Sequence, residues 1–284
     1  MKVFVYRALS LAARLFGFWF FSFFAWIITG GFYFLFPGRR RASLDFYRAL
    51  FPGRSRWLPW RLAWRQYHHF SSVFVDRLRL ETPGEIKIVT EGREEIRHGN
   101  GILLMSHVGN WEVAARAFRG FGMKLLIFIG ERQDEAIEKE VKSDLTGAGI
   151  TTVVASENEG QVFNSFESIR CLKEGGFMAI AGDRLWLPGQ KTISASFLGH
   201  EVELPRAPFG FALALKVPIY PFFTIKEKSE FRVIIHPPIY VEAAARGERE
   251  AAMRGAAERY LSLLEETLRA HPDHWYHFEP FWKK

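Results

Sequence analysis

The sequence predicts an α/β fold: a mixed, mainly parallel sheet flanked by helices, preceded by an N-terminal hydrophobic membrane-anchor helix. Three observations lead there. Past Pro83-Gly84, short apolar runs alternate with stretches of helical length and spacing, the pattern of a sheet with helices on its faces. Residues 15–36 contain no charged side chain. Between the two, residues 37–79 carry ten Arg against two Asp.

The chain in order begins with the apolar stretch. Fourteen of the first 36 residues are Phe, Trp or Tyr. At ~1.5 Å per residue, residues 15–36 extend about 33 Å, enough to cross a bilayer core. The stretch is too long and too aromatic for a cleaved signal peptide, and no small-x-small site follows it. Gly30-Gly31 also admits a kinked, interfacial or re-entrant helix. Residues 1–36 are therefore read as a membrane anchor, and 37–82 as a basic, helical, membrane-proximal segment. Arg39-Arg40-Arg41 follows the anchor at once, which favours the cytoplasmic side and anionic lipid headgroups. Trp57, Trp60 and Trp64 suit an interfacial belt or the inside of a helical layer.

The charge distribution excludes one class of partner. The net charge is +7, yet residues 80–284 sum to −4. A nucleic-acid-binding protein would carry its positive charge on the main domain, so no nucleic-acid partner is expected. Cys171 is the lone cysteine, which leaves no intrachain disulfide and no cysteine-based metal site.

Residues 83–284 read as one domain. Strands are expected near 86–90, 101–106, 123–129, 151–155, 176–181, 192–198, 217–225 and 231–236. Helices are expected near 110–121, 133–147, 161–174, 206–216 and 247–270. The turn signal His98-Gly99-Asn100-Gly101 opens the apolar run 101–105, and Trp111, Val113, Ala114, Ala117 and Phe118 recur at helical spacing after it.

Between that strand and that helix lies Ser106-His107-Val108-Gly109-Asn110-Trp111-Glu112. His107 thus sits at the carboxyl end of a strand, where open α/β sheets place their chemistry. Glu112 falls in the first helical turn, at the positive end of the helix dipole. An imidazole beside a carboxylate is the pair that activates a hydroxyl, although a histidine at a strand end also serves as a structural hydrogen-bonding residue.

A second apolar run delivers Gly182-Asp183-Arg184, on the same rim as His107 if the two strands are parallel. An Arg there can hold a phosphate or a developing oxyanion; a structural Asp–Arg pair is the plain alternative. Phe197-Leu198-Gly199 ends a strand, with Gly199 permitting a tight turn, and Arg206 begins a helix. The prolines of Val217-Pro218-Ile219-Tyr220-Pro221 mark a strand start. The tail 271–282 holds three histidines but lacks zinc-hydrolase spacing, so it reads as packing against the core rather than as a metal site. No GxGxxG, P-loop or GxSxG pattern is present, which argues against nucleotide cofactors and α/β-hydrolase chemistry.

Taken together these residues resemble the late lipid A (lauroyl/myristoyl) acyltransferase family, within the glycerolipid acyltransferases whose signature is His-x4-Asp/Glu. His107 to Glu112 carries the signature. Gly182-Asp183-Arg184, Phe197-Leu198-Gly199, 217–221 and the closing His-Pro-x-x-Trp-Tyr of 271–276 follow in order, so the likeness runs nearly end to end. The resemblance implies a membrane-bound acyltransferase at the inner membrane, its catalytic domain facing the cytoplasm. It would move a fatty acyl chain from an acyl carrier protein or coenzyme A thioester to a hydroxyl of a membrane glycolipid, with no metal or organic cofactor. His107 would be the general base and Glu112 would orient its ring. Gly109 and Asn110 would shape the turn beside them. Arg184, positioned by Asp183, would hold the acceptor phosphate or the oxyanion, and Arg206 would contact a headgroup or phosphopantetheine. The tail and the Glu at position 112 also resemble relatives that acylate other glycolipids or polyene lipids, so a lipid A precursor is one acceptor among several. The alternatives from other classes are a thioesterase or lipase using the same dyad, and a non-catalytic lipid-binding module.

Overall fold

The computed structural model describes residues 17–80, 86–97, 99–130, 150–155, 166–185, 189–228 and 230–282. Their elements run α1 (Phe18–Leu35), α2 (Pro37–Leu50), α3 (Leu58–Leu80), β1 (Lys87–Glu91), β2 (Gly101–Met105), α4 (Trp111–Gly120), β3 (Leu125–Gly130), β4 (Thr151–Ala155), α5 (Phe166–Lys173), β5 (Phe177–Ala181), β6 (Thr192–Phe197), β7 (His200–Pro205), α6 (Ala207–Leu215), β8 (Ile219–Glu227), β9 (Glu230–Ile235) and α7 (Arg249–Ala270). The helix expected at 133–147 and the start of the one expected at 161–174 lie outside the described residues.

The strands form a seven-stranded sheet in the order β1-β9-β8-β2-β5-β3-β4. From β8 to β4 all neighbours are parallel, while β9 runs antiparallel to β8 and parallel to β1. The mainly parallel α/β fold expected from the sequence is what forms. Its central strands β2 and β5 are buried at every position, as continuous apolar runs covered on both faces must be. The alternation of strand side chains then divides the core. Leu103, Met105, Ala179 and Ala181 meet Ala114, Ala115 and Phe118 of α4 on one face. Ile102, Leu104, Met178 and Ile180 meet α2, α3, α6 and α7 on the other, through Leu44, Tyr47, Leu62, Phe209, Tyr260 and Leu264 among others.

One expected strand is two. Residues 192–198 end in a two-residue hairpin, Leu198-Gly199, with φ 51° and 79°, and β7 returns antiparallel to β6. Both turn residues lie in the left-handed region that a tight hairpin between twisted strands demands. The tight turn that Gly199 was expected to permit is present, with Leu198 an unusual residue beside it; the strand returning from it was not expected, and Val202 and Leu204 are its buried alternates.

Helix α1 has a mean hydropathy of 1.6 and is long and apolar enough to cross a membrane. Phe21 and Ala25 pack with Val75 of α3, and Tyr33 stands edge-on to Trp64 and Tyr67 of the same helix. Trp19, Phe23, Trp26, Ile27, Phe34 and Leu35 are exposed. Trp57 and Trp60 are exposed too, at 65% and 41%, whereas Trp64 packs within the helical layer against His68 and Tyr33.

Candidate functional site

Because β2 and β5 are adjacent and parallel, Met105 pairs with Ala181 and the residues after each strand emerge side by side. The Gly182 amide donates to the Met105 carbonyl at 2.8 Å, extending the ladder by one rung. A Cβ on Gly182 would stand 2.8 Å from Leu104 Cδ1 and 3.1 Å from Tyr260 Cζ, so this position needs the smallest residue. The next residues are His107 and Asp183.

Asp183 is buried, and its carboxylate faces the histidine twice. Oδ1 lies 2.8 Å from His107 Nδ1, and Oδ2 accepts from the His107 amide, also at 2.8 Å. Oδ2 further accepts the indole N–H of Trp275 at 2.8 Å. Burial alone would raise the Asp183 pKa. The charge and hydrogen bond of His107, the charge of His277 and the Trp275 donor outweigh it, and the carboxyl is held below the usual carboxylate range. An ionised acceptor at Nδ1 places the ring proton there and leaves the lone pair on Nε2, the tautomer a general base requires.

Glu112 is placed differently from the sequence expectation. It occupies the first turn of α4, buried, but both its oxygens accept from Arg77 of α3: Oε2 from Nε at 3.1 Å and Oε1 from Nη2. The planar guanidinium matches the carboxylate in a two-point fork, a geometry that an imidazole cannot offer. The preceding residue, Asp76, binds Lys226 Nζ at the end of β8 at 2.7 and 2.8 Å. Consecutive residues of α3 thus tie that helix to two elements of the site. The contact with the imidazole expected of Glu112 is made by Asp183, the residue expected to position Arg184. The spacing His-x4-Glu is a sequence-local signal, whereas the Asp183 contact depends on strand order.

The turn between β2 and α4 is fixed by Gly109 and Asn110. Gly109 has φ 66°, and a Cβ there would stand 1.7 Å from the Thr224 carbonyl oxygen of β8. Asn110 caps α4, its Oδ1 accepting from the Glu112 amide at 3.0 Å.

The C-terminal tail completes the site, and the sequence reading gave it only a packing role. Val108 forms an antiparallel bridge with Trp275. The Gly109 amide donates to the His274 carbonyl at 2.8 Å, and the Tyr276 amide donates to the His107 carbonyl at 2.7 Å. Trp275 does pack as expected, against Phe46, Phe197 and Phe281. The overlooked signal was its indole: a buried tryptophan needs an acceptor for its N–H, and here that acceptor is Asp183. His277 stacks on the indole, and burial pushes its pKa down to about 4. Among the described residues no group of three or more His, Cys, Asp or Glu could hold a metal ion.

Arg184 follows Asp183, half-buried, its charge felt by His277. Gly199 sits at the hairpin tip with open space around it, so it serves the turn. Arg206 precedes α6 and pairs with Glu250 of α7 at 2.8 Å. The structure thus joins His107, Gly109, Asn110, Gly182 and Asp183 at one rim, sets Glu112 beside them in the Arg77 fork, and places Gly199 and Arg206 in separate local structures.

This rim lies inside a match to the family model described as bacterial lipid A biosynthesis acyltransferase, which spans residues 8–284. The chain belongs to that family. It is accordingly an enzyme, an acyltransferase acting on lipid substrates. No curated protein matches the chain. Among solved structures, the 1-acyl-sn-glycerophosphate (LPA) acyltransferase of Thermotoga maritima is similar at 15% identity, covering 93% of this chain and 98% of that one with a TM-score of 0.39.

For a lipid A biosynthesis acyltransferase, the exposed apolar face of α1 and the arginines that follow it accord with membrane association. Arg40 bridges the two helices behind that face: it donates to the Tyr33 carbonyl at 3.1 Å and lies over the Trp60 ring.

Proposed function

We propose that the enzyme transfers a fatty acyl group from a thioester to a hydroxyl of a membrane glycolipid, with His107 as general base and Asp183 as its orienting carboxylate. The observation that carries this is the His107 ring held at Nδ1 by an ionised, buried Asp183 at the carboxyl ends of two adjacent parallel strands. In the reaction, Nε2 takes the proton of the acceptor hydroxyl as its oxygen attacks the thioester carbonyl carbon. The carbonyl π electrons move onto oxygen. Collapse of that oxyanion breaks the C–S bond, and the imidazolium returns its proton to the departing thiolate, leaving an ester and a free thiol. The amides of His107 and Gly109 are already committed to Asp183 and His274, so Arg184 is the charged group assigned to the oxyanion or to an acceptor phosphate.

The donor is acyl carrier protein or coenzyme A loaded with the acyl chain, and a lipid A precursor is the leading acceptor. Residues 1–36 anchor the enzyme in the inner membrane, residues 37–82 lie against its surface, and residues 83–284 work on the cytoplasmic side. Charge and aromatic exposure support this reading. The turn between α2 and α3 forms an open cavity of about 500 Å³ lined by Arg48, Arg54, Arg56, Trp57 and Trp60, among others, groups that suit anionic headgroups at the level of the membrane interface.

The test is an assay of the purified full chain in vesicles of inner-membrane lipid extract. Radiolabelled acyl carrier protein thioester and acyl coenzyme A are supplied in parallel. Label moving into a glycolipid is expected, and the more efficient thioester identifies the donor. Label released only as free fatty acid contradicts the transferase reading in favour of a hydrolase that activates water with the same dyad.

A further inference from the structure

We propose that Trp275 is a positioning residue for acyl transfer, its indole N–H locking the Asp183 carboxylate in the plane that presents Oδ1 to His107. The inference rests on the assignment of His107 as base. A buried carboxylate on a short side chain can rotate about its last bond. Here Oδ2 is pinned by two donors, the His107 amide and the Trp275 indole, both at 2.8 Å, which leaves Oδ1 aimed at the ring. Without the indole, the carboxylate would be held only by His107 itself, through its amide and its ring, with no donor from another element to fix its plane. Trp275, 1% exposed, has no freedom of its own: Phe46, Phe281 and His277 surround the ring at centroid distances of 4.7–5.0 Å.

The main chain reinforces the same contact. Trp275 is bridged to Val108, and its flanking residues exchange hydrogen bonds with His107 and Gly109. From the other side the tail is held by the membrane-proximal helices. Gln66 Nε2 donates to the Trp275 carbonyl, the Tyr47 hydroxyl to the Pro272 carbonyl at 2.8 Å, and Arg65 pairs with Asp273 at 2.7 Å. The tail is therefore a strap clamped between α2 and α3 and the histidine loop, and Trp275 is the point at which it touches the dyad.

Two variants separate an N–H effect from a packing effect. Trp275→Phe shortens the ring and removes the donor. Incorporation of 3-benzothienylalanine at position 275 keeps the shape and replaces N–H with sulfur. Loss of a hydrogen bond to a charged group is expected to lower kcat by roughly 10-fold or more in the isosteric variant, with KM within about 2-fold. The acidic limb of the kcat/KM profile is expected to move to higher pH, because a carboxylate with one donor fewer holds the imidazolium more tightly. The other titratable and charged groups stay in place: Tyr260 of α7 and His277, which interact electrostatically with Asp183, and Arg184 and Glu279, which act on His277. A wild-type kcat or an unmoved acidic limb in the isosteric variant overturns the proposal, as does impairment confined to Trp275→Phe, which would make the residue a packing element. These outcomes leave the base assignment untouched, since that fails only if His107→Ala retains transfer.

Discussion

Replacing His107 with Ala is expected to lower the rate of acyl transfer by about a thousandfold or more while the protein remains folded. General base catalysis contributes roughly 10²–10⁴ in rate, and in the proposed reaction a single imidazole both removes the acceptor proton and returns it to the thiolate. The fold has little reason to fail. The ring is partly exposed, and the His107 amide and carbonyl, which bind Asp183 and Tyr276, remain in the variant. The cost to stability is the ring's bond to Asp183, which leaves that carboxylate with its two Oδ2 donors. Steady-state transfer kinetics together with thermal melting check both halves. A folded variant with near wild-type kcat would remove His107 from the chemistry.

The largest expected effect on stability comes from Gly109→Ala. The left-handed φ costs roughly 1–2 kcal/mol for a residue with a Cβ. The steric conflict is worse, because the new atom would stand 1.7 Å from the Thr224 carbonyl oxygen, a backbone atom within the sheet. Relieving it means displacing either β8 or the turn that carries His107. Overpacking of this kind adds about 1–3 kcal/mol, for a total near 2–5 kcal/mol. A chain of this size then loses roughly 4–20 °C in Tm. Gly199→Ala is the matched control: its φ is also left-handed at 79°, but no atom lies within 4 Å of its Cβ position. It should cost only the conformational part, and equal melting losses for the two variants would refute the close-approach account.

Much of this was legible in the residues, for reasons that differ by element. The continuous apolar runs at 101–105 and 177–181 announce buried parallel strands, and from them follows the rim on which His107 and Asp183 meet. The α4 cap at Asn110 and the Gly109 turn are local features, visible in the motif itself. The partner of the imidazole was not legible. Glu112 is five residues from His107 and invites pairing, whereas Asp183 reaches it only because β5 inserts between β2 and β3 in the sheet order. Arg77 was likewise one of ten arginines in a basic segment, and nothing local distinguishes the one that is buried against Glu112 from those that are exposed. Trp275 was visible as an aromatic and read as packing, which it also is. Its N–H meets Asp183 only through a pairing between residues 108 and 275.

The proposed reaction depends on Asp183, and not Glu112, to hold the histidine. Parallel measurement of kcat for Asp183→Asn and Glu112→Gln in folded, purified enzyme tests it most directly. Asn cannot stabilise the imidazolium and, if it donates to Nδ1, turns the ring to the wrong tautomer, so Asp183→Asn should lose on the order of 10²–10⁴ in kcat. Glu112→Gln keeps a hydrogen-bonding group for Arg77 but removes the charge that compensates it. A loss of about 2–4 kcal/mol in stability is therefore expected from a buried pair, with kcat reduced by no more than about 10-fold. The reverse pattern, with Asp183→Asn active and Glu112→Gln inactive though folded, would contradict the account and return the orienting role to Glu112.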